Sequence, residues 1–113
     1  MVMNKYSLEK SGQVAVDGGD IGYRYYEPHN PKYKNRAPVV LVHGGPGGCH
    51  IGMFDALSAL AETRPVIGYD QLGSYLSPAK IDDDLMKVER FAEEPLHLLN
   101  ALGVDKAVLL GHS

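Results

Sequence analysis

Ala107-Val108-Leu109-Leu110-Gly111-His112-Ser113 is the stretch on which the fold turns. Four apolar residues in a row, with no polar alternation, suit a short strand covered on both faces. Gly-x-Ser directly after such a strand is the first half of a Gly-x-Ser-x-Gly turn. That turn is a sharp strand-to-helix reversal that lifts a serine hydroxyl above a parallel sheet. A serine that merely ends a chain needs neither the glycine two positions before it nor the apolar run before that. Ser113 is therefore a candidate nucleophile.

Two earlier strands end in the same manner. Val39-Val40-Leu41-Val42 runs into His43-Gly44-Gly45-Pro46-Gly47-Gly48, and Pro65-Val66-Ile67-Gly68-Tyr69 closes on Asp70-Gln71-Leu72-Gly73. Between them, Phe54, Leu57, Leu60 and Ala61 recur at helical spacing from His50 to Glu62. The longest helical pattern spans Asp82 to Leu102, where Leu85, Val88, Ala92, Leu96, Leu99 and Leu102 form one apolar stripe. Gly103 is placed to cap it, and Pro95 should kink or divide it. Upstream, Val14-Ala15-Val16 and Ile21 to Tyr26 flank Asp17-Gly18-Gly19-Asp20 and read as a hairpin. Glu27 to Pro38 is polar, carries three prolines and reads as a loop. The order β-β-β-α-β-α-β predicts an α/β fold: a β-hairpin, then alternating strands and helices in a mostly parallel sheet with right-handed crossovers.

Composition bounds the chemistry. The 113 residues allow one domain, short for an α/β architecture. Eleven Lys and Arg against fourteen Asp and Glu give a net charge of −3, with no basic cluster to attract nucleic acid or an anionic membrane. Cys49 is alone, which excludes an internal disulfide and fits a reducing compartment. Met1 to Lys10 has no apolar core of the signal-peptide kind, and no stretch is long enough to span a bilayer. The expectation is a soluble, cytoplasmic protein. His29, His50 and His97 have no paired metal-ligand spacing and read as surface or packing residues. Asp82-Asp83-Asp84 reads as an acidic opening to a helix rather than a cation site.

The unusual residues thus gather in three loops, each at the C-terminal end of a strand, the edge where open α/β sheets bind ligands. Glycines in the first loop let backbone N–H groups approach a substrate closely. A structural turn without catalytic duty is the plain alternative, and a phosphate loop is disfavoured because no Gly-Lys-Ser/Thr follows.

The segments "VLVHGGPGG", "YDQLGS" and "VLLGHS", in this order, resemble the proline iminopeptidases and related serine aminopeptidases of the α/β-hydrolase fold. The resemblance runs from about Val14 to Ser113 and covers the N-terminal part of such an enzyme, so residues 1–113 read as a partial core domain lacking cap and C-terminal half. It implies a serine hydrolase that releases an N-terminal residue, preferably proline, from small peptides by acyl transfer, without metal or organic cofactor. Ser113 would be the nucleophile and Gly45 would supply an oxyanion N–H. His43, Gly44 and Gly47 would shape that loop, while Asp70, Gln71 and Gly73 would support the site from the neighbouring strand end. The sequence departs from the family pattern at Gly73-Ser74-Tyr75-Leu76-Ser77, where Gly-x-Gly-x-Ser and an arginine are usual, and at Cys49, where a small residue such as serine is common.

In this fold the triad follows the order serine, acid, histidine. Both partners of Ser113 are then expected after the last residue given, leaving an incomplete, inactive site and an unpaired sheet edge. A triad of His43, Asp70 and Ser113 is disfavoured, because His43 opens the glycine loop as a backbone-organising residue and Asp70-Gln71 reads as a turn-stabilising pair. Two other functions share these features: an esterase, lactonase or amidase on the same scaffold, and a non-catalytic truncated remnant.

Overall fold

The computed structural model describes residues 5–45 and 47–113. Residues 1–4 of the N-terminal stretch, and Pro46 of the glycine loop, lie outside them. Five strands form one mixed sheet: β1 (Tyr6–Val16), β2 (Gly19–Pro28), β3 (Val39–Val42), β4 (Val66–Tyr69) and β5 (Val108–Gly111). They lie in the order β1-β2-β4-β3-β5. The first two neighbouring pairs are antiparallel and the last two parallel. Helix α1 (His50–Leu57), continued by a 3-10 turn over Ser58–Glu62, crosses from β3 to β4. Helix α2 (Val88–Leu102) crosses from β4 to β5.

The continuous apolar runs are explained by burial on both faces. Val40 and Ile67 face one cluster with Ile21, Tyr23, Tyr69 and Leu98 of α2. Val39, Leu41 and Val66 face the other, with Ala61 and, at its margin, Phe54 and Leu57 of α1. Strand β5 forms an edge among the described residues, leaving Val108 and Leu109 46% and 57% exposed.

Four expectations are corrected. The hairpin extends well beyond Val14–Val16 and Ile21–Tyr26, because β1 reaches back to Tyr6 with a register shift between Leu8 and Lys10. Its outer half is exposed and polar, so no apolar alternation marks it. The helix expected from Asp82 begins only at Val88. Asp82 Oδ1 instead accepts the N–H groups of Asp84 and Leu85, the local side-chain bond by which aspartate competes with helix. The acidic run is therefore a turn ahead of the helix.

Third, Pro95 does not divide α2, which runs unbroken to Gly103. Pro95 is itself buried, so tertiary packing offsets its lost backbone bond. The buried face matches the predicted stripe only in part: Leu99 and Leu102 pack against the core, but Val88 and Leu96 are exposed, and Glu94, Pro95 and Leu98 are buried. Glu94 points inward because Arg90, one turn earlier, pairs with it at 2.6 Å. Gly103 caps the helix as expected, at φ +68, with its N–H on Asn100 and Leu99 carbonyls.

One buried hydroxyl fastens the hairpin to β4. Ser77 Oγ donates to the Asp70 carbonyl at 2.6 Å and accepts the Gly22 N–H at 2.7 Å. Gly22 is required there, since a Cβ would stand 2.4 Å from the Leu76 carbonyl oxygen. Removing the hydroxyl strands two buried polar groups. Ser77→Ala is expected to cost about 2 kcal/mol in denaturant unfolding, with the midpoint shifted and the slope unchanged.

Candidate active site

Parallel pairing sets three loops side by side. Strand β3 lies between β4 and β5, so the segments leaving it at His43, leaving β4 at Asp70 and leaving β5 at His112 share one sheet edge. Val42 pairs with Gly111, and the His112 N–H continues the ladder to the Val42 carbonyl at 3.1 Å. This register brings Ser113 against Gly44: a Cβ on Gly44 would stand 3.1 Å from Ser113 Cβ and 3.6 Å from its Oγ.

Ser113 has φ +77, the sole non-glycine residue with positive φ among those described. Such a conformation costs L-residues free energy and marks sharp functional turns. A cavity of about 290 Å³ opens before it, formed by Val42 to Gly45 and Gly111 to Ser113. An adjoining cavity of about 560 Å³ lies between α1 and β5 and is lined mainly by apolar atoms, including Met53, Leu57 and Leu110. Cys49 also lines it, at the N-cap of α1 without a side-chain capping bond.

His43 is fully occupied by backbone. Its Nε2 accepts the Gln71 N–H at 2.9 Å, so Nδ1 carries the proton and donates to the Gly44 carbonyl at 2.6 Å. Gln71 returns the bond, its side-chain amide donating to the His43 carbonyl at 2.7 Å. Asp70 is turned away from His43. Its Oδ1 accepts the backbone N–H and the ring Nδ1–H of His50, at 2.7 and 2.9 Å, and its Oδ2 accepts the Leu76 N–H at 3.1 Å. Burial pushes the Asp70 carboxyl up, but the bonds and charge from His50 and the Leu76 N–H outweigh it and hold the group below its ordinary value. His43, Asp70 and Ser113 thus form no linked triad.

The predicted residues divide accordingly. His43, Gly44 and Gly45 meet Ser113 around one cavity, and Gln71 fixes His43. Gly45 and Gly47 are exposed with φ +136 and +103, and a Cβ at Gly45 would stand 2.7 Å from the Gly47 nitrogen. Gly73, at φ +92, lies farther out and lines a separate apolar hollow with Gly47, Leu72 and Phe91. The replaced glycine does not open the 71–77 turn, which closes through Ser74 N–H to Gln71 and Gly73 N–H to Ser77. The sequence reading missed the partner of His50: the residue is 1% exposed and bonded to Asp70 in space rather than along the chain. His29 and His97 are exposed, as read.

Comparison with known proteins agrees with this architecture. The family defined by the α/β hydrolase fold matches residues 37–113. The chain belongs to that family. Among relatives, a proline iminopeptidase of Heyndrickxia coagulans is 37% identical over 102 residues, covering 90% of this chain and 34% of that protein. The 1-acylglycerol-3-phosphate O-acyltransferase ABHD5 of Sus scrofa is 35% identical over 108 residues, 94% of this chain and 30% of that one. In three dimensions, the crystal structure of a proline iminopeptidase-related protein from Thermus thermophilus superposes with a TM-score of 0.80 at 30% identity, over 91% of this chain and 35% of that one. The chain therefore spans about a third of the length of the α/β hydrolases it matches. Among the described residues no helix is long and apolar enough to cross a membrane.

Proposed function

We propose that Ser113 is the nucleophile of a serine hydrolase of the proline iminopeptidase type, which cleaves an N-terminal residue, preferably proline, from small peptides. The observation that carries this is Ser113 at φ +77, packed against the glycine loop at the C-terminal edge of the sheet. The similarity to proline iminopeptidases supports the substrate class. In the reaction, Ser113 Oγ attacks the scissile carbonyl as a histidine base takes its proton. The Gly45 N–H helps hold the resulting oxyanion, which collapses to an acyl-enzyme as the amine leaves with a proton; water then releases the acid. Among the described residues no hydrogen bond reaches the Ser113 hydroxyl from a histidine; His43 uses both ring nitrogens elsewhere, and His50 turns its Nδ1 to Asp70. The 113 residues by themselves are accordingly expected to be inactive.

The test is the intact mass of the protein from its natural source, followed by assay on a prolyl arylamide and a short-chain aryl ester. Prolyl cleavage by a species heavier than 113 residues supports the proposal. Ester cleavage without prolyl cleavage favours an esterase on the same scaffold. A mass matching 113 residues with neither activity removes the peptidase function and leaves the family relationship.

A further inference from the structure

The glycine loop leaves β3 at His43 and enters α1 at His50, so both ends must be held for the amides between them to keep one direction. The His43–Gln71 pair holds the first end. At the second, the usual device is missing: Cys49 is the N-cap and makes no capping bond. Asp70, from the end of β4, takes that part by accepting the His50 N–H at 2.7 Å, and the His50 ring bonds the same oxygen at 2.9 Å. Both side chains are buried, and the ring lies close enough on β4 that a Cβ at Gly68 would stand 2.6 Å from His50 Cδ2.

An apolar pair of equal volume would fill this space without the desolvation that a buried carboxylate incurs. What an apolar pair lacks is direction. Two bonds to one carboxylate oxygen fix both the ring and the first turn of α1, and through them the exit of the loop. The other oxygen fixes Leu76, so one carboxylate ties the loop, α1 and the 71–77 turn together.

We propose that His50 is a positioning residue for the oxyanion-binding amides of the glycine loop, acting through Asp70. The role in catalysis rests on the assignment of Ser113 as nucleophile; the control of loop geometry does not. His50→Leu keeps volume but removes the ring donor. His50→Asn returns an N–H near the place of Nδ1, and His50→Gln puts its donor where the far ring nitrogen stands.

The experiment compares these variants in the protein from its natural gene, by the rate of Ser113 labelling with a fluorophosphonate and by amide hydrogen exchange. His50→Leu should lower the maximal labelling rate about tenfold to a hundredfold, with probe affinity unchanged, and His50→Asn should recover most of it. The amide of residue 50, at the loop's exit and bonded to Asp70 at 2.7 Å, should exchange faster in the leucine variant, while Val40, Leu41 and Ile67 stay protected. If the leucine variant does not fold, His50→Gln replaces it and should label more slowly than His50→Asn. Equal labelling of folded wild type and variant, or exchange that quickens evenly through β3 and β4, overturns the proposal. If the wild type is not labelled at all, the nucleophile assignment fails on its own, and unchanged exchange at residue 50 in the variants would then overturn the positioning role separately.

Discussion

Ser113→Ala in the protein from its natural source is expected to lower turnover of a prolyl arylamide about 10⁴- to 10⁶-fold, the range seen when the nucleophile of a serine hydrolase is removed. Fluorophosphonate labelling should vanish with it, while KM changes little, since a nucleophile attacks the substrate and contributes little to holding it. The expectation rests on geometry. The residue sits at φ +77, where a side chain is costly, and this is the observation behind its proposed role as nucleophile. Gly44 lies so close that the serine has one neighbour on that side with no side chain to block it. Retention of even a tenth of the activity in the alanine variant would place the reaction on another residue.

The second large effect concerns stability. Glu94 and Arg90 pair at 2.6 Å with their side chains 1% and 8% exposed, and Arg90 Nε also donates to the Asp17 carbonyl of the hairpin turn. Burial pushes the Glu94 carboxyl up; the hydrogen bond and charge of Arg90, with the Leu72 N–H, pull it down without cancelling the rise. The folded chain therefore holds that proton more tightly than the unfolded one. This contribution is full at acid pH and is lost as pH rises through the ordinary glutamate range towards the raised value. A buried pair of this kind is costly to break and not costly to replace. Glu94→Ala should lose about 3–5 kcal/mol by leaving the guanidinium buried and unpaired. The double variant Arg90→Met, Glu94→Leu should recover most of that loss. Denaturant unfolding at pH 7 decides the matter, and equal losses in the single and double variants would show that the pair is not the source.

The same pair explains why part of the fold was hidden in the sequence. A helix is read by its apolar stripe, and α2 turns a glutamate inward while leaving Val88 and Leu96 in solvent. No single-sequence pattern distinguishes that from the reverse. Strand β1 was half hidden for the opposite reason: as an edge among the described residues it buries little, so nothing in Tyr6 to Gln13 alternates. The central strands and the three loops were legible, because strands covered on both faces must be apolar throughout and because glycine-rich turns have few other uses. His50 was not legible. Its significance lies in reaching Asp70, twenty positions away, and only the parallel pairing of β3 with β4 sets the two side by side.

The place of β5 in the sheet has a temporal side. Strands β1 and β2 close across a tight turn, Val16 opposite Gly19, whereas β5 meets β3 with α1, β4 and α2 lying between them in the chain. Closing a long loop costs more entropy than closing a short one, and pairings between distant segments form slowly. Strand β5 gains nothing until β3 is already in place to receive it. Its arrival alone sets Ser113 against Gly44. An early folding intermediate, or a chain still on the ribosome, consequently carries a serine at position 113 without its glycine-loop neighbour, and the two meet only once β5 has joined β3.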